Sequence, residues 1–214
     1  MKKLITLAVA VLAGALLFTG CYSEIAPEYN KQSIIDAANA EAEAAAKAAY
    51  GYCTIPEGAT TLYDFSKMTS IPDTIKNDGW TGISYTLVAD KYFGKVLRIT
   101  PSATNDWGSI SLKYSTPLNL TGKKLYVVMK GATDVANQDN DSKLIFMQDA
   151  DNQNETRWIP NDNSKFKVYE YDLAAGTWGA YGKTALTSWN SISEINLAVQ
   201  KGKYSRDVAY IYYK

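Results

Sequence analysis

The chain has 214 residues, with 22 Lys and Arg against 22 Asp and Glu, and it contains no histidine. Its formal net charge of zero gives no electrostatic reason to expect nucleic acid or an anionic membrane surface as partner. The missing imidazole excludes Ser-His-Asp and Cys-His catalysis and the commonest zinc ligand, and leaves carboxylate-only chemistry of the kind glycosidases use.

Residues 1–21 read MKKLITLAVAVLAGALLFTGC. Lys2 and Lys3 precede a run, Leu4 to Phe18, that is apolar apart from Thr6 and the small Gly14. That run is shorter than a membrane span of about 20 residues and has the order of an export signal. Gly20 leaves room for a peptidase beside Cys21. Thr19, Gly20 and Cys21 resemble the lipobox of bacterial lipoproteins, with Phe18 where Leu is usual. The resemblance implies a signal peptide over residues 1–20, lipid on Cys21, and attachment to the bacterial cell envelope through that lipid. Tyr22, in place of the Asp associated with inner-membrane retention, points to the outer membrane. The competing readings are an ordinary cleaved signal with an incidental cysteine, or an uncleaved anchor. With Cys21 acylated, Cys53 has no partner in the chain, so a disulfide framework is excluded. Cys53 reads as a small, partly buried residue, or alternatively as a thiol that dimerises.

Residues 22–30 are polar, carry Pro27 and read as a tether. Next comes KQSIIDAANAEAEAAAKAAY, in which nine of the thirteen residues from Ala37 to Ala49 are alanine, the best helix former. Ser33 with Asp36 approximates a capping box, and Gly51 stops the helix. Its large apolar residues are few beyond Ile34 and Ile35, so it reads as a spacer; self-association through the alanine face is the rival. Signal, tether with helix, and folded domain are therefore placed at 1–20, 21–57 and 58–214.

From Gly58 onward β-branched and aromatic residues take over, in short apolar runs separated by Gly, Asn, Asp and Pro. That rhythm predicts an all-β sandwich or barrel. The predicted strands are Thr61–Phe65, Ile83–Val88, Lys95–Thr100, Gly108–Lys113, Lys124–Lys130, Lys143–Gln148, Arg157–Ile159, Lys167–Leu173, Glu194–Val199 and Val208–Tyr212. Alternation puts Ile110, Leu112 and Tyr114 on one face of their strand, and Tyr169, Tyr171 and Leu173 on one face of theirs. LYVVMK is apolar on both faces and reads as a central strand. DVANQDNDS (134–142) and DADNQNE (149–155) read as polar loops.

The order of motifs in this zone resembles the galactose-binding-like jelly rolls, which include many carbohydrate-binding modules. The resemblance is carried by Tyr63-Asp64-Phe65 in the first strand, Trp80 in NDGWTG, and Trp107-Gly108 opening a strand. Pro117 to Leu120 before Leu125–Met129, Trp158, Tyr169 to Leu173, and the closing pair Ile192 to Val199 and Val208 to Tyr212 continue it. It implies a jelly-roll β-sandwich and a carbohydrate partner. Relatives carry acidic residues in the last strand for a structural calcium ion; here that strand reads Tyr210-Ile211-Tyr212-Tyr213. Asp64 and Asp207 are the remaining candidates for calcium, which wants six to eight oxygens. No other cofactor is implied.

Sugar recognition needs flat aromatic faces beside planar polar groups. Trp178 and Tyr181 lie among small residues in AAGTWGAYG, as a platform or as a plug on the sandwich end. Trp80 is placed similarly. Trp107 and Trp158 open strands, where a core role competes with a ligand platform; Trp189 reads as core. Arg157 adjoins Trp158 and offers a fork of donors. Asp149, Asp151, Asn152 and Asn154 are polar candidates nearby, with a solvated loop as the plain alternative. Arg98 and Lys143 sit on strands whose facing the sequence leaves open. The expected function is non-catalytic carbohydrate binding by a membrane-anchored lipoprotein. The alternatives are a structural envelope or sheath component that self-associates, and a small glycoside-active enzyme using two carboxylates.

Overall fold

The structure, a computed structural model, describes residues 31–77, 83–101, 107–131, 141–173, 183–200 and 205–214, without the side chains of Lys31, Trp107 and Gln200. The expected signal peptide (residues 1–20), Cys21, the expected tether, Trp80, Trp178 and Tyr181 lie outside the described residues. The chain divides into two compact units between Ala49 and Tyr50.

The first unit holds α1 (Lys31–Tyr50), the alanine-rich segment, apart from its last residue. Its 20 residues span about 30 Å. It is solvent-exposed over most of its length, and its local support is a Gln32–Asp36 hydrogen bond of 2.7 Å and a Glu43–Lys47 ion pair of 2.8 Å. Gly51, at φ +79°, ends it in the left-handed conformation that glycine adopts without strain.

The second unit is a jelly-roll β-sandwich of two antiparallel sheets. Its strands in chain order are β1 (Thr60–Asp64), β2 (Ile75–Asn77), β3 (Ile83–Asp90), β4 (Gly94–Pro101), β5 (Trp107–Leu118) and β6 (Lys124–Gly131). They continue with β7 (Asp141–Met147), β8 (Gln153–Glu155), β9 (Ile159–Pro160), β10 (Lys167–Asp172), β11 (Ile192–Gln200) and β12 (Arg206–Tyr213). Sheet A runs β10-β6-β12-β4-β3, with β1 also on β12; sheet B runs β2-β5-β11-β7-β8, with β9 also on β7. The ten expected strands all fall on strands of the sheets, Arg157–Ile159 by its last residue alone; β2 and β8, three residues each, are additional.

The core fills the space between the sheets. Sheet B contributes Ile110, Leu112, Leu144, Phe146, Ile195 and Leu197; sheet A contributes Leu97, Ile99, Leu125, Val127, Tyr171 and Ile211. Each such side chain, fully withdrawn from water, is worth about 1.5–3 kcal/mol. The alternation expected for β10 holds: Tyr169 and Tyr171 are buried while Val168 is 46% exposed. A polar brace crosses this core. Arg206 Nε donates to Asn161 Oδ1 (3.1 Å), Asn161 Nδ2 donates to Ser142 Oγ (2.8 Å), and Ser142 Oγ meets Tyr171 Oη at 2.8 Å.

Sheet A is apolar on its outer side too. Val96, Val128, Ala209, Tyr210 and Tyr212 join Phe93 and Phe166 in a second cluster, against which Tyr50, Tyr52, Cys53, Ile55 and Ala59 pack. A register shift between Val208 and Tyr210 interrupts the alternation of β12, so that Ala209 and Tyr210 both serve this outer cluster. The strap from Tyr50 to Ala59 is thus part of the domain, whose compact unit begins at Tyr50 rather than at the composition change near Gly58.

Candidate functional site

The outer face of sheet B is where the chemistry collects. Since Ile110, Leu112, Ile195, Leu197, Leu144 and Phe146 point inward, their neighbours point out. Register then sets these outward residues in rows. Lys76, Ser111, Asn196, Ile145 and Glu155 form one row across β2, β5, β11, β7 and β8. Lys113, Glu194, Met147 and Gln153 form the next. Ser109, Ala198 and Lys143 form a third. Five strands at about 4.8 Å spacing make this face about 19 Å wide.

In the first and third rows the adjacent strands β5 and β11 carry the smaller side chains, and the flanking strands carry long ones. The result is a floor of Ser109, Ser111, Ala198 and Asn196 between taller walls. The outer face of an antiparallel sheet ordinarily meets water. Here Ser109 and Ser111 are 0% exposed, Asn196 7%, and Lys143 and Glu155 8% each. Ser111 Oγ donates to Glu194 Oε1 at 2.5 Å, and Asn196 Nδ2 lies 3.6 Å from Met147 Sδ. Ser109 Oγ and Asn196 Oδ1 have no hydrogen-bond partner among the described residues. Buried polar atoms without partners cost about 1–3 kcal/mol each and are rare in native folds. These two lie on adjacent strands of one face and are sealed from solvent; an ordered water is the ordinary partner for such atoms.

The wall on the β7–β8 side is built around an ion pair. Lys143 Nζ is bonded to Glu155 Oε2, and Gln153 Nε2 donates to Glu155 Oε1 at 3.4 Å. Trp158 precedes β9, whose pairing of Ile159 with Ser142 sets the indole beside Lys143. The ammonium lies over that ring, 4.8 Å from its centroid. Trp158 is half-buried and Arg157 is exposed. Opposite, Glu194 is 3.3 Å from Lys113 Nζ.

Of the residues proposed from sequence, Trp158, Arg157 and Lys143 come together on this wall. Trp107 contributes its backbone to β5, and its side chain lies outside the described residues. Trp189 packs against the core, as expected, edge-on to Phe146 at 5.3 Å. Asp149 folds back on its own turn, accepting from the backbone N–H of Asp151 and Asn152 at 2.8 and 2.9 Å. Asn152 gives its amide to the same carboxylate (2.9 Å), and Asn154 Oδ1 accepts from the Leu186 N–H (3.2 Å). These polar residues shape the β7–β8 turn. Asp151 is exposed, 3.8 Å from Lys183 Nζ. Arg98 grips Asp207 through two bonds of 2.7 and 2.8 Å on sheet A, away from the site. Asp64 accepts from Ser66 and pairs with Lys67 at 2.8 Å; burial raises its pKa, but these partners outweigh burial and hold it below the usual value. Asp64 and Asp207 are each committed to a cationic side chain, and no cluster of three metal-ligating side chains occurs among the described residues. Ser109, Ser111, Asn196, Glu155 and Gln153 were not singled out from sequence. The alternation within SISLKY was the available signal for the two serines.

The fold is a jelly-roll sandwich, the architecture of the carbohydrate-binding modules among the solved structures it resembles. One solved structure it resembles is the family 11 carbohydrate-binding module from Clostridium thermocellum in complex with a beta-1,3-1,4-mixed-linked tetrasaccharide. The match has a TM-score of 0.55 and 14% identity, and covers 74% of this chain and 96% of that one. Another is an exo-beta-agarase, with a TM-score of 0.54 and 13% identity over 72% of this chain. This chain spans 24% of the agarase. No family model matches the sequence, and no curated protein does.

Proposed function

We propose that this protein binds carbohydrate on the outer face of sheet B without transforming it, and that lipid on Cys21 holds it to the cell envelope. The observation that carries the binding reading is the half-buried Trp158 indole, with Lys143 over one side of its ring and the exposed Arg157 next to it, bordering a polar sheet face. Sugar hydroxyls supply both donors and acceptors, and the C–H face of a pyranose suits a flat ring. The structural likeness to a module bound to a tetrasaccharide supports the same reading; fold alone would not carry it.

Two features favour binding over its rivals. A glycosidase needs a protonated carboxyl and a free carboxylate about 5–9 Å apart. On this face Glu155 is tied to Lys143, and Glu194 to Lys113 and Ser111. An obligate structural contact commonly buries an apolar patch. Among the described residues of the domain, Val168 is the one large aliphatic side chain left exposed.

Affinity electrophoresis in gels loaded with soluble polysaccharides tests the binding. At least one glycan is expected to retard the wild type, with Trp158→Ala and Asn196→Ala weakening retardation at unchanged melting temperature. Unretarded migration across a broad panel of plant, algal and microbial glycans would sink the reading. Anchoring is tested by detergent phase partition: wild type in the detergent phase, Cys21→Ala in the aqueous phase.

A further inference from the structure

We infer that Lys143 is a positioning residue for the indole of Trp158, with Glu155 and Gln153 as its anchor. The effect on ligand affinity rests on the carbohydrate-binding reading above; the constraint on the ring does not.

A lysine on the outer face of a sheet normally extends into water. Lys143 does the opposite. Its side chain is 10% exposed, and its ammonium is turned onto Glu155 Oε2 and over the Trp158 ring. The other oxygen of Glu155 is held by Gln153. The link carrying Trp158 is pinned at both ends. Thr156 N–H donates to Leu144 O (2.9 Å), Leu144 N–H donates to Thr156 Oγ1 (2.9 Å), and Ile159 pairs with Ser142. With its backbone fixed there, the ring retains its own side-chain rotations. A cation over one face of an aromatic ring, withdrawn from water, is an attractive restraint on them. It also occupies that face, so a ligand has the opposite one.

Stability is a poor explanation for the pair. Charges taken out of water are costly, and apolar replacements of similar volume are often as stable or more so. A role in orienting a neighbour accounts for a buried Lys-Glu pair stacked under an indole. Fixing a ring before a ligand arrives removes the ordering cost of one side chain, a factor of about 2–10 in affinity.

The experiment uses the full chain labelled with 5-fluorotryptophan, the Trp158 ¹⁹F resonance being assigned by its loss in Trp158→Phe. Removing both charges together, Lys143→Met with Glu155→Met, avoids stranding one of them. The double variant is expected to keep the wild-type melting temperature within a few degrees. The Trp158 resonance should shift and narrow, and affinity for the most strongly retarding glycan should fall about 2–10-fold. Lys143→Arg, which keeps a cation, should stay close to wild type. Added to Trp158→Ala, the double change should cost no further affinity, because it acts through the ring. An unmoved resonance, or an equal loss of affinity with and without Trp158, overturns the inference. Should the double variant not fold, Glu155→Gln, which loosens the anchor at constant volume, must move the same resonance or the inference fails. If no glycan binds the wild type, the carbohydrate reading falls, and the fluorine signal still decides whether Lys143 holds the ring.

Discussion

Gly51 and Gly58 have nearly the same backbone conformation, φ +79° and +77°, and alanine should affect them very differently. A Cβ at Gly58 meets nothing within 4 Å. Its cost is that of a left-handed residue with a side chain, about 1–2 kcal/mol. A Cβ at Gly51 lands 1.9 Å from the carbonyl oxygen of Phe166 and 2.8 Å from its carbon. Those are backbone atoms, held in place by the Phe166 N–H bond to Tyr50 O (3.0 Å) and by the Phe166 ring, 4.6 Å from Phe93. Overpacking adds about 1–3 kcal/mol and the strained hydrogen bond about 1. The total for Gly51→Ala is therefore about 3–6 kcal/mol. At about 2–4 °C per kcal/mol for a domain of this size, it should lower the melting temperature by about 10–20 °C, and Gly58→Ala by about 3–6 °C. Differential scanning calorimetry of the two variants measures the gap. The strap lies on the outer side of sheet A, so the folded fraction of Gly51→Ala should bind glycan as the wild type does. Equal losses at the two glycines would refute the packing of the strap onto Phe166.

Other parts of the molecule are open to the same kind of test. Burial pushes the Cys53 thiol up from its ordinary pKa, so a disulfide reagent at neutral pH should modify the native protein far more slowly than the urea-unfolded chain; equal rates would contradict its packing against the tyrosines of β12. Lys167 and then Ser164, outweighing partial burial, hold the Asp162 carboxyl well below the usual carboxylate range. A depressed acid stabilises the fold above its unfolded pKa of about 4 and loses that contribution as pH falls. Asp162→Asn should thus be less stable than wild type by about 1 kcal/mol at pH 7, discounted for the half-exposed Lys167, with the gap closing in acid; a gap constant with pH would argue against the pairing. Phe146→Ala, at a fully buried ring edge-on to Trp189, should cost about 3–5 kcal/mol in urea denaturation, and a loss under 1 kcal/mol would mean the core is looser than described.

The β-sandwich was legible because its longer strands alternate cleanly: Tyr169, Tyr171 and Leu173 announce one inward face, and LYVVMK announces a strand buried on both. β2 and β8 carry too few residues, IKN and QNE, to show a period at all. The start of the domain was obscured because composition changes at Gly58, whereas packing begins with Tyr50, Tyr52 and Ile55. The site was half visible. Trp158, Arg157 and Lys143 stand out as residue types. Ser109, Ser111 and Asn196 look like any solvated strand face, because what distinguishes them is burial by cross-strand neighbours far away in sequence. Asp149 and Asn152 matched sugar-binding chemistry by type, yet their oxygens and amide are consumed in closing a turn.

The last strand in sequence, β12, lies in the middle of sheet A, between β6 on one side and β4 and β1 on the other. A ribosome therefore finishes the centre of this sheet after its surroundings. Until Arg206–Tyr213 emerges, β6 and β1 present open hydrogen-bonding edges, and the sheet has no way to close. Closure pairs Thr60 with Tyr213 across almost the whole domain, a long-range contact of the kind that slows folding. Clipping a few residues from β12 is therefore expected to leave an aggregating remnant with open strand edges instead of a shortened sandwich.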